Sequence, residues 1–454
     1  MALPTDIRLL DLVAETTESR FRTPLKFGGQ VVTHSLNLHV IATVETRDGR
    51  RGRGEGWMPQ GSVWGWPSRA VTPQQAAAAG LELFRRAVAE TAAFDGYAHP
   101  VEIAWQCEPR WLALAAEVGA EQGLAEPLPK LYALVETSPI DAALHDAFGR
   151  ALGAHVYDLY GPAHLPHDLG RYLGPDMAGL TLDRFVAPRP KATLPLYHLV
   201  GALDPLTPGD VAEPVGDGLP EHLAQWIVAD DLTHLKIKLN GEDVAWDAAR
   251  VAAVERVASE AMARRGRSDW VYSLDFNERC ASVEYILEFL ARLAELAPLA
   301  FARVAYIEQP TARDLRAHPE NRMHRAAAIK PVVIDESLTD RETYELAREQ
   351  GYSGVALKTC KGHSQALLLA ALAQHDGLFL CVQDLTCPGA AFLHSAGLAA
   401  HIPGVTAIEG NARQYCPASN EAWAAAYPTV FRPTAGAIAT GLLDGPGLGF
   451  ALPG

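Results

Sequence analysis

Apolar and polar positions alternate along about the first sixty residues, and this pattern predicts β-strands joined by turns. The alternation is clearest in VVTHSLNLHVIATVETRDGRRGRGEGW, where Asp48-Gly49 predicts a hairpin turn. From Thr72 the period becomes helical, with Thr72-Pro73 as an N-cap and first-turn proline, and Ser138-Pro139 predicts the start of another helix over 138–153. Strands followed by helices indicate an α+β domain, assigned to residues 1–162.

A second pattern begins after residues 163–192, which are rich in proline and glycine and predict a linker or an insertion. From 193 to 412, short apolar runs alternate with helical stretches. The runs are TLPLYHLVG, HLKIKLN, WVYSLDFNE, VAYIEQP, PVVIDES, GVALKTC, LFLCVQD and GVTAIEG. Eight such runs predict buried parallel strands closed into an α/β barrel of the TIM type, followed by a C-terminal segment, 413–454.

The run HLKIKLN places His234, Lys236 and Lys238 on one face of its strand, because side chains alternate with period two. One interpretation is an edge strand whose lysines are solvated, since lysine commonly protects sheet edges. The other interpretation is a functional pair of lysines inside the barrel. We read His234 as peripheral to any site.

Charged side chains stand at the carboxyl ends of these strands, which is where active sites of β/α barrels lie. A single carboxylate there is typical of a helix cap. Three on consecutive strands, flanked by lysines on the strands before and after, indicate a common site instead. The strand-end residues are Asp275 with Asn277 beyond it, Glu308, Asp335, Lys358, Asp384 and Glu409.

Three converging carboxylates repel each other unless a cation lies between them. All-oxygen ligands favour a hard divalent ion, Mg²⁺ first and Mn²⁺ as the alternative, so we predict a site at Asp275, Glu308 and Asp335. A lysine close to other cations has a lowered pKa and can serve as a base. The pattern therefore predicts removal of the α-proton of a carboxylate substrate, with the metal stabilising the enediolate that forms.

These motifs together resemble the enolase superfamily, in particular its mandelate racemase and muconate-lactonising-enzyme-like members. The matching motifs are K-x-K in LKIKLNG, D-x-N in DFNE, EQP at 308–310, DES at 335–337 and LKTCKG. SPIDAALHDAFGRALGAHVYDLYG and the ending GAIATGLLDGPGLGFALP also resemble family segments. The resemblance implies a (β/α)7β barrel with an N-terminal capping domain completed by the C-terminal segment.

The resemblance also implies roles for individual residues. Lys238 and Lys358 would be the acid/base groups on opposite faces of the substrate, with Lys361 as the rival of Lys358. Lys236 would bind the substrate carboxylate or tune its neighbour, and Glu336 would orient lysine or aspartate side chains. The sequence departs from the family at His363, where a second glycine is expected, and in AIEGN, whose missing D-x-D argues against a dipeptide substrate.

Substrate contacts are expected from the barrel mouth and from two cap loops, at about 16–30 and about 54–67. Basic residues of the first loop would meet a distal anion, and tryptophans of the second would form a wall, although exposed basic residues are usually solvated and tryptophans usually pack. The predicted substrate-binding residues are Arg22, Lys26, Trp64, Asn277, Asp384 and Glu409, with Arg20 and Trp66 as further candidates.

Racemisation or epimerisation is the predicted reaction. The same residues allow dehydration of a hydroxy or sugar acid, and cycloisomerisation is a third use. A Schiff-base aldolase would use Lys358 but leaves the carboxylates unexplained. A non-catalytic relative that binds a metabolite is a further alternative.

Composition narrows the partners. The 454-residue chain has a formal net charge of −15, which disfavours nucleic acid and anionic membranes as partners. Six scattered cysteines without a CxxC pair, and a start that lacks a signal-peptide pattern, predict a reduced cytoplasmic protein. The resemblance suggests a homo-oligomer acting on a small carboxylate.

Overall fold

The computed structural model describes residues 3–27 and 30–452, so Gly28 and Gly29 of the first predicted cap loop lie outside the described residues. An antiparallel sheet in the order β1-β2-β3 forms the N-terminal part. Its strands are β1 (Ile7–Phe27), β2 (Gln30–Thr46) and β3 (Arg51–Pro59). The helices that pack on it are α1 (Ser62–Gly65), α2 (Pro73–Ala92), α3 (Pro100–Glu121) and α4 (Lys130–Leu152).

The first predicted cap loop is wrong in its conformation, because residues 16–27 continue strand β1. Thr16 pairs with Leu38, and Lys26 pairs with Val31, with one register shift between Arg20 and Leu25. Residues 16–20 all pair across the hairpin, so these polar residues stand on a strand rather than in a loop. The second predicted loop, 54–67, likewise holds the end of β3 and helix α1.

Ser138-Pro139 does not open a helix as predicted, because α4 begins eight residues earlier and runs through Pro139. Proline has no N–H for the carbonyl of Val135, and the Ser138 hydroxyl donates to that carbonyl instead, at 2.9 Å. The predicted cap at Thr72 is confirmed, since its hydroxyl accepts from the Gln75 N–H.

Glycines in β3 let α4 lie directly against the sheet. A Cβ on Gly54 would stand 2.0 Å from the Ala147 nitrogen, and one on Gly56 would stand 1.9 Å from the Pro139 carbonyl oxygen. Only glycine fits at such distances, so the sheet packs directly on α4, the helix that faces the barrel.

The eight predicted apolar runs all form parallel strands, and pairing of the last with the first closes them into a barrel. This confirms the predicted TIM-like class. The strands are β4 (Leu194–Val200), β5 (His234–Lys238), β6 (Val271–Asp275), β7 (Val304–Glu308), β8 (Val332–Ile334), β9 (Gly354–Leu357), β10 (Phe379–Gln383) and β11 (Ile408–Glu409).

Helices separate consecutive barrel strands, which gives the (β/α)7β order. They are α6 (Leu223–Asp230), α7 (Val244–Ala263), α8 (Val283–Leu296), α9 (Pro298–Arg303), α10 (His324–Ala327), α11 (Arg341–Glu349), α12 (His363–His375) and α13 (Ala390–His401). Ahead of the barrel stands α5 (Leu169–Leu173), and after it come α14 (Ala412–Tyr415), α15 (Glu421–Ala426) and α16 (Pro428–Phe431). Short 3-10 turns lie at Val156–Leu159, Pro175–Met177, Leu182–Arg184, Pro208–Asp210, Thr359–Lys361, Pro417–Asn420 and Thr440–Leu442.

The C-terminal segment joins both parts, as the resemblance implied. Strand β12 (Ala437–Ile438) pairs with β4 of the barrel. Farther on, the Leu448 N–H donates to Asp146 of α4 at 2.9 Å. The boundaries at 162, 192 and 412 stay a prediction. No helix within 3–27 and 30–452 is both long and apolar enough to cross a membrane.

A chain of buried polar groups crosses between α4 and the barrel. The Ser364 hydroxyl lies 2.8 Å from Asp141 and 2.9 Å from His145. Tyr160 then joins His145 to His363, at 3.0 and 2.8 Å. His363, which replaces the expected glycine, is therefore part of a buried hydrogen-bonded network. The turn that carries Lys358 and Lys361 is followed by residues that this network connects to α4.

Candidate active site

Lys236 and Lys238 lie inside the barrel, so the edge-strand interpretation is wrong. Strand β5 is paired on both sides, and the two lysines are 1% and 6% exposed. The Lys236 Nζ lies 2.8 Å from Glu308, 2.7 Å from Glu409 and 3.2 Å from Asp275. A buried ammonium surrounded by carboxylates is fixed in place and neutralises part of their charge.

The three predicted metal ligands come from neighbouring strands and are all buried. Asp275 is the register partner of Lys238 on one side and of Glu308 on the other. The Lys238 ammonium donates to Asp275 Oδ2. Asp335 directly follows β8, the strand beside β7, so the parallel pairing places the three carboxylates in a row at one end of the barrel.

Two further lysines meet the far end of this row. The Lys358 Nζ lies 2.8 Å from Asp335 Oδ2. The Lys361 Nζ lies 3.1 Å from Asp335 Oδ1 and donates to the main-chain oxygen of the same residue at 2.5 Å. Strands β5 and β9 are opposite each other in the eight-stranded barrel, so Lys238 and Lys358 approach the carboxylates from opposite sides.

The three carboxylates differ in the direction of their pKa shifts, because their charged neighbours differ. Burial, and then the charges of Asp275 and Asp335, raise the pKa of Glu308 well above its ordinary value. Burial also opposes ionisation of Asp335, yet Lys358 and Lys361 hold its pKa at about 2. For Asp275 the same burial is outweighed by Lys238 and Lys236, which lower its pKa.

The predicted lowering of the lysine pKa is wrong for Lys236 and Lys358, whose pKa values are raised. Burial works against the charged form of Lys236, but the surrounding carboxylates raise its pKa well above the ordinary value. Asp335 and Glu308 raise the pKa of Lys358 in the same way. Lys236 opposes this effect at Lys358, but the charge of Asp335 outweighs it.

The donor set fits a hard divalent cation in its chemistry. Asp275, Glu308 and Asp335 supply only carboxylate oxygens, and their mutual repulsion is the situation that a cation relieves. No group of three His, Cys, Asp or Glu side chains within 3–27 and 30–452 is arranged to hold a metal ion, and the ammonium of Lys236 lies between two of the carboxylates. The ligand assignment stays a prediction.

Helix α1 of the cap covers this end of the barrel with Trp64. The indole Nε1 donates to Glu336 at 3.0 Å, and Lys358 Nζ lies 4.6 Å from the centre of the ring. Trp64 also lines two cavities, of about 470 Å³ towards β2 and α2 and about 680 Å³ towards Asn277 and Glu278. Trp66 instead packs at 5.8 Å from the Tyr132 ring centre.

The remaining predicted substrate residues lie in three settings. Lys26 and Asn277 line a cavity of about 80 Å³ together with Lys238. Glu409 binds Lys236, whereas the Asp384 carboxylate accepts from the N–H groups of Thr386 and Cys387, each at 3.1 Å. Both Asp384 and Glu409 are buried.

The arginines of the first predicted cap loop form ion pairs with carboxylates outside the predicted site. Arg22, whose side chain is 5% exposed, binds Asp217 at 2.6 Å and lies 3.5 Å from Glu221, both in the stretch between β4 and α6. Arg20 is exposed and pairs with Glu18. The structure therefore places Arg22 at the contact between the hairpin and an inserted loop.

Two side chains at the site, Gln383 and Arg313, were not predicted from the sequence. Gln383, at the end of β10, donates to Glu308 Oε2. Arg313 pairs with Glu278 and donates to main-chain oxygens of α1. The strand-end position would have indicated Gln383, because the predicted carboxylates of the barrel were chosen in that way. Arg313 lies in a loop, where nothing in the sequence marks its partner.

The sequence model of the family described as "Enolase C-terminal domain-like" matches residues 218–453, which is more than half of the chain. The chain belongs to this family. The predicted enolase-superfamily enzyme of the mandelate racemase and muconate lactonizing type is thereby confirmed at the level of the family.

Solved structures share the whole fold at low sequence identity. The muconate lactonizing enzyme of Pseudomonas fluorescens, complexed with muconolactone, has 19% identity and a TM-score of 0.61, with 98% of this chain and 96% of that chain covered. The L-Ala-D/L-Glu epimerase of Bacillus subtilis has 16% identity and a TM-score of 0.62, with 97% and 98% covered. The N-succinyl Arg/Lys racemase of Bacillus cereus has 17% identity and a TM-score of 0.59, with 98% and 95% covered. Curated proteins gave no significant sequence match.

Proposed function

We propose that this protein is a Mg²⁺-dependent racemase or epimerase that removes and returns the α-proton of a small carboxylate substrate. One observation carries the proposal. Lys238 and Lys358 each pair with a carboxylate and stand on opposite strands of the barrel, with Asp275, Glu308 and Asp335 between them. Two proton carriers on opposite sides of one site suit inversion of a stereocentre.

The residues divide the work by their contacts. Lys238 and Lys358 would take and give the proton on the two faces of the substrate. Lys236 is held by three carboxylates, so its part is to fix their positions and to attract the substrate carboxylate. Burial of all three lysines excludes water, which keeps an abstracted proton within the site.

Asp275, Glu308 and Asp335 would hold Mg²⁺, with Mn²⁺ as the alternative. When bound, the cation would stabilise the negative charge that develops on the substrate carboxylate. A dipeptide epimerase of Enterococcus faecalis with the same fold is described as complexed with Mg, which supports this choice. The reduced cytoplasmic setting and the homo-oligomer remain parts of the proposal that rest on the sequence.

Solvent-deuterium exchange tests the reaction. The protein is incubated with Mg²⁺ in D₂O against pools of hydroxy acids, sugar acids and amino-acid derivatives, and loss of the α-proton is followed by NMR. The variants are Lys238→Ala, Lys358→Ala and Lys361→Ala, with Lys330→Ala outside the site as the matched control. Removal of a proton carrier is expected to slow exchange by about a hundredfold or more.

Each outcome selects a reaction. Interconversion of the stereoisomers that needs both Lys238 and Lys358 and stops with a chelator, with exchange on one face left in each single variant, supports the racemase or epimerase. Loss of water from the product, with only one lysine required, indicates the dehydratase. Trapping by borohydride with a carbonyl substrate, unaffected by a chelator, would replace the proposal with an aldolase. Interconversion of the stereoisomers that survives in all lysine variants would refute it.

A further inference from the structure

Arg313 joins the cap to the barrel at the edge of the site. Its guanidinium binds Glu278 through two nitrogens, at 2.7 and 2.5 Å. Its other hydrogen bonds go to the main-chain oxygens of Trp64 at 3.0 Å and Gly65 at 3.3 Å. Those two carbonyls belong to α1, a single turn of four residues that makes no side-chain cap at its start.

The barrel side of this contact has an unusual backbone. Glu278 and its neighbour Asn277 have φ values of +66° and +46°, and Gln309 on the adjacent strand end has +29°. Glutamate rarely adopts this conformation, so surrounding contacts must hold it. The Glu278 N–H donates to the Gln309 oxygen at 2.9 Å, and Cys280 donates to Pro310 at the same distance. The strained turn places the Glu278 carboxylate against Arg313.

The cap side of the contact carries Trp64. Its ring lies over the Lys358 ammonium and its Nε1 donates to Glu336, while its own carbonyl is the group that Arg313 binds. An α1 turn that shifted outward would therefore withdraw the indole from both groups. Helix α1 is too short to be stable by itself, so its position depends on such contacts.

We propose that Arg313, held by Glu278, is a positioning residue that fixes the α1 turn so that Trp64 covers the Lys358 ammonium. Arginine suits the task because its planar fork binds a carboxylate on one side and still offers donors to two carbonyls on another. Lysine has one nitrogen and cannot span these partners. The geometric part of this proposal stands alone, and its effect on turnover rests on the proposed function.

A matched arrangement at the other end of the barrel distinguishes this role from general stability. Arg303 lies 3.3 Å from Glu255 and stacks on Trp270, with 3.5 Å between the guanidinium carbon and the ring centre. The Trp270 Nε1 donates to Tyr272 at 2.7 Å. Arg303 precedes β7 and Arg313 follows it, so the pairs occupy opposite ends of the same strand.

The experiment measures hydrogen exchange of the two indole N–H groups in full-length protein by NMR with ¹⁵N-labelled tryptophan, with Trp64→Phe and Trp270→Phe for assignment. In Arg313→Ala and in the milder Glu278→Gln, we expect exchange at Trp64 to accelerate by about tenfold or more, the worth of a lost charged hydrogen bond. Exchange at Trp270 should stay as in the unchanged protein. Arg303→Ala should give the converse result.

Turnover supplies the second readout. Substitution of Arg313 should lower kcat for α-proton exchange by about tenfold or more while KM changes less than about threefold, because positioning of Lys358 is affected more than substrate binding. Ethylguanidinium added to Arg313→Ala should restore both kcat and protection of the Trp64 indole. Arg303→Ala should show neither the split nor the rescue.

Unchanged exchange at Trp64 in both Arg313→Ala and Glu278→Gln would overturn the proposal. Faster exchange with kcat of the unchanged protein would overturn the effect on turnover, since the indole would then be displaced without consequence. Inactivity of the unchanged protein towards every pool would remove the proposed function instead, and the indole measurement would still decide whether Arg313 fixes α1.

Discussion

His394 provides a test of whether the polar chain between cap and barrel must stay uncharged. Its Nε2 lies 2.8 Å from His363 Nδ1, and the ring is buried within α13. Burial, together with His145, lowers the pKa of His394 from 6.5 to about 3, although Asp141 acts in the opposite direction. The folded protein therefore keeps this imidazole neutral at pH values where an unfolded chain would protonate it.

The sign and the size of the effect follow from proton linkage. The contribution of a neutral His394 is fully present above the unfolded pKa of 6.5 and is lost as the pH falls towards the folded value. A pH of about 5 lies about 1.5 units below the unfolded pKa, so protonation of the imidazole stabilises the unfolded state by about 2 kcal/mol. At about pH 7.5 both states are neutral and the linkage cost is about zero.

The assay is urea unfolding of the unchanged protein and His394→Gln at both pH values, with refolding checked. The difference in free energy of unfolding between the two proteins should shift by about 2 kcal/mol in favour of the variant on going from about pH 7.5 to about pH 5. Comparing two proteins cancels the titrating groups that do not interact with His394, including Glu136, whose pKa burial raises to about 8 and whose effect has the opposite sign. His375→Gln, at an exposed position on α12, is the control. An equal difference at both pH values would refute the reasoning.

Three further changes test the ligands, the hairpin and the cap. Asp335→Asn should weaken Mg²⁺ binding, measured by calorimetry without substrate, by about tenfold or more, since a charged ligand is lost; binding of unchanged strength would remove Asp335 from the ligand set. Arg22→Gln should cost about 1–3 kcal/mol of stability and speed proteolysis between 203 and 222, whereas Arg20→Gln should change neither. Gly54→Ala should destabilise the protein by about 3 kcal/mol or more because its Cβ would overlap α4, while Gly209→Ala, whose Cβ would meet only Thr207 Oγ1 at 3.8 Å, should leave the thermal unfolding midpoint unchanged.

The barrel could be predicted because its information is local. Each strand is a short apolar run, and each chemical residue stands where its run ends, so Lys238, Asp275 and Glu308 were found by position alone. Parallel pairing between neighbours then brings them together without further information. The same rule would have included Gln383 if amides had been considered beside charged groups.

The cap was predicted less well because its contacts join residues far apart in the chain. Polar residues at 16–27 look like a loop until the pairing partner in β2 is known. Arg22 looks like a substrate ligand until Asp217, 195 residues away, is placed beside it. Pro139 was predicted to start a helix because proline lacks the N–H that a helix interior needs. The Ser138 hydroxyl makes the missing hydrogen bond instead, and nothing in the sequence indicates that it does so.

The contacts of the two ammonium groups favour Lys358 over Lys361 as the proposed acid/base group, a choice that the sequence left open. Lys361 donates to both the side chain and the main chain of Asp335. A main-chain oxygen cannot move with the lysine, so this contact restrains the ammonium. Lys358 contacts one carboxylate oxygen and the face of Trp64, and neither is a fixed donor–acceptor pair of that kind. An acid/base group must leave its resting partner to reach the substrate. The looser attachments of Lys358, on the strand opposite Lys238, therefore support its proposed role, and we infer that Lys361 instead holds Asp335 in place.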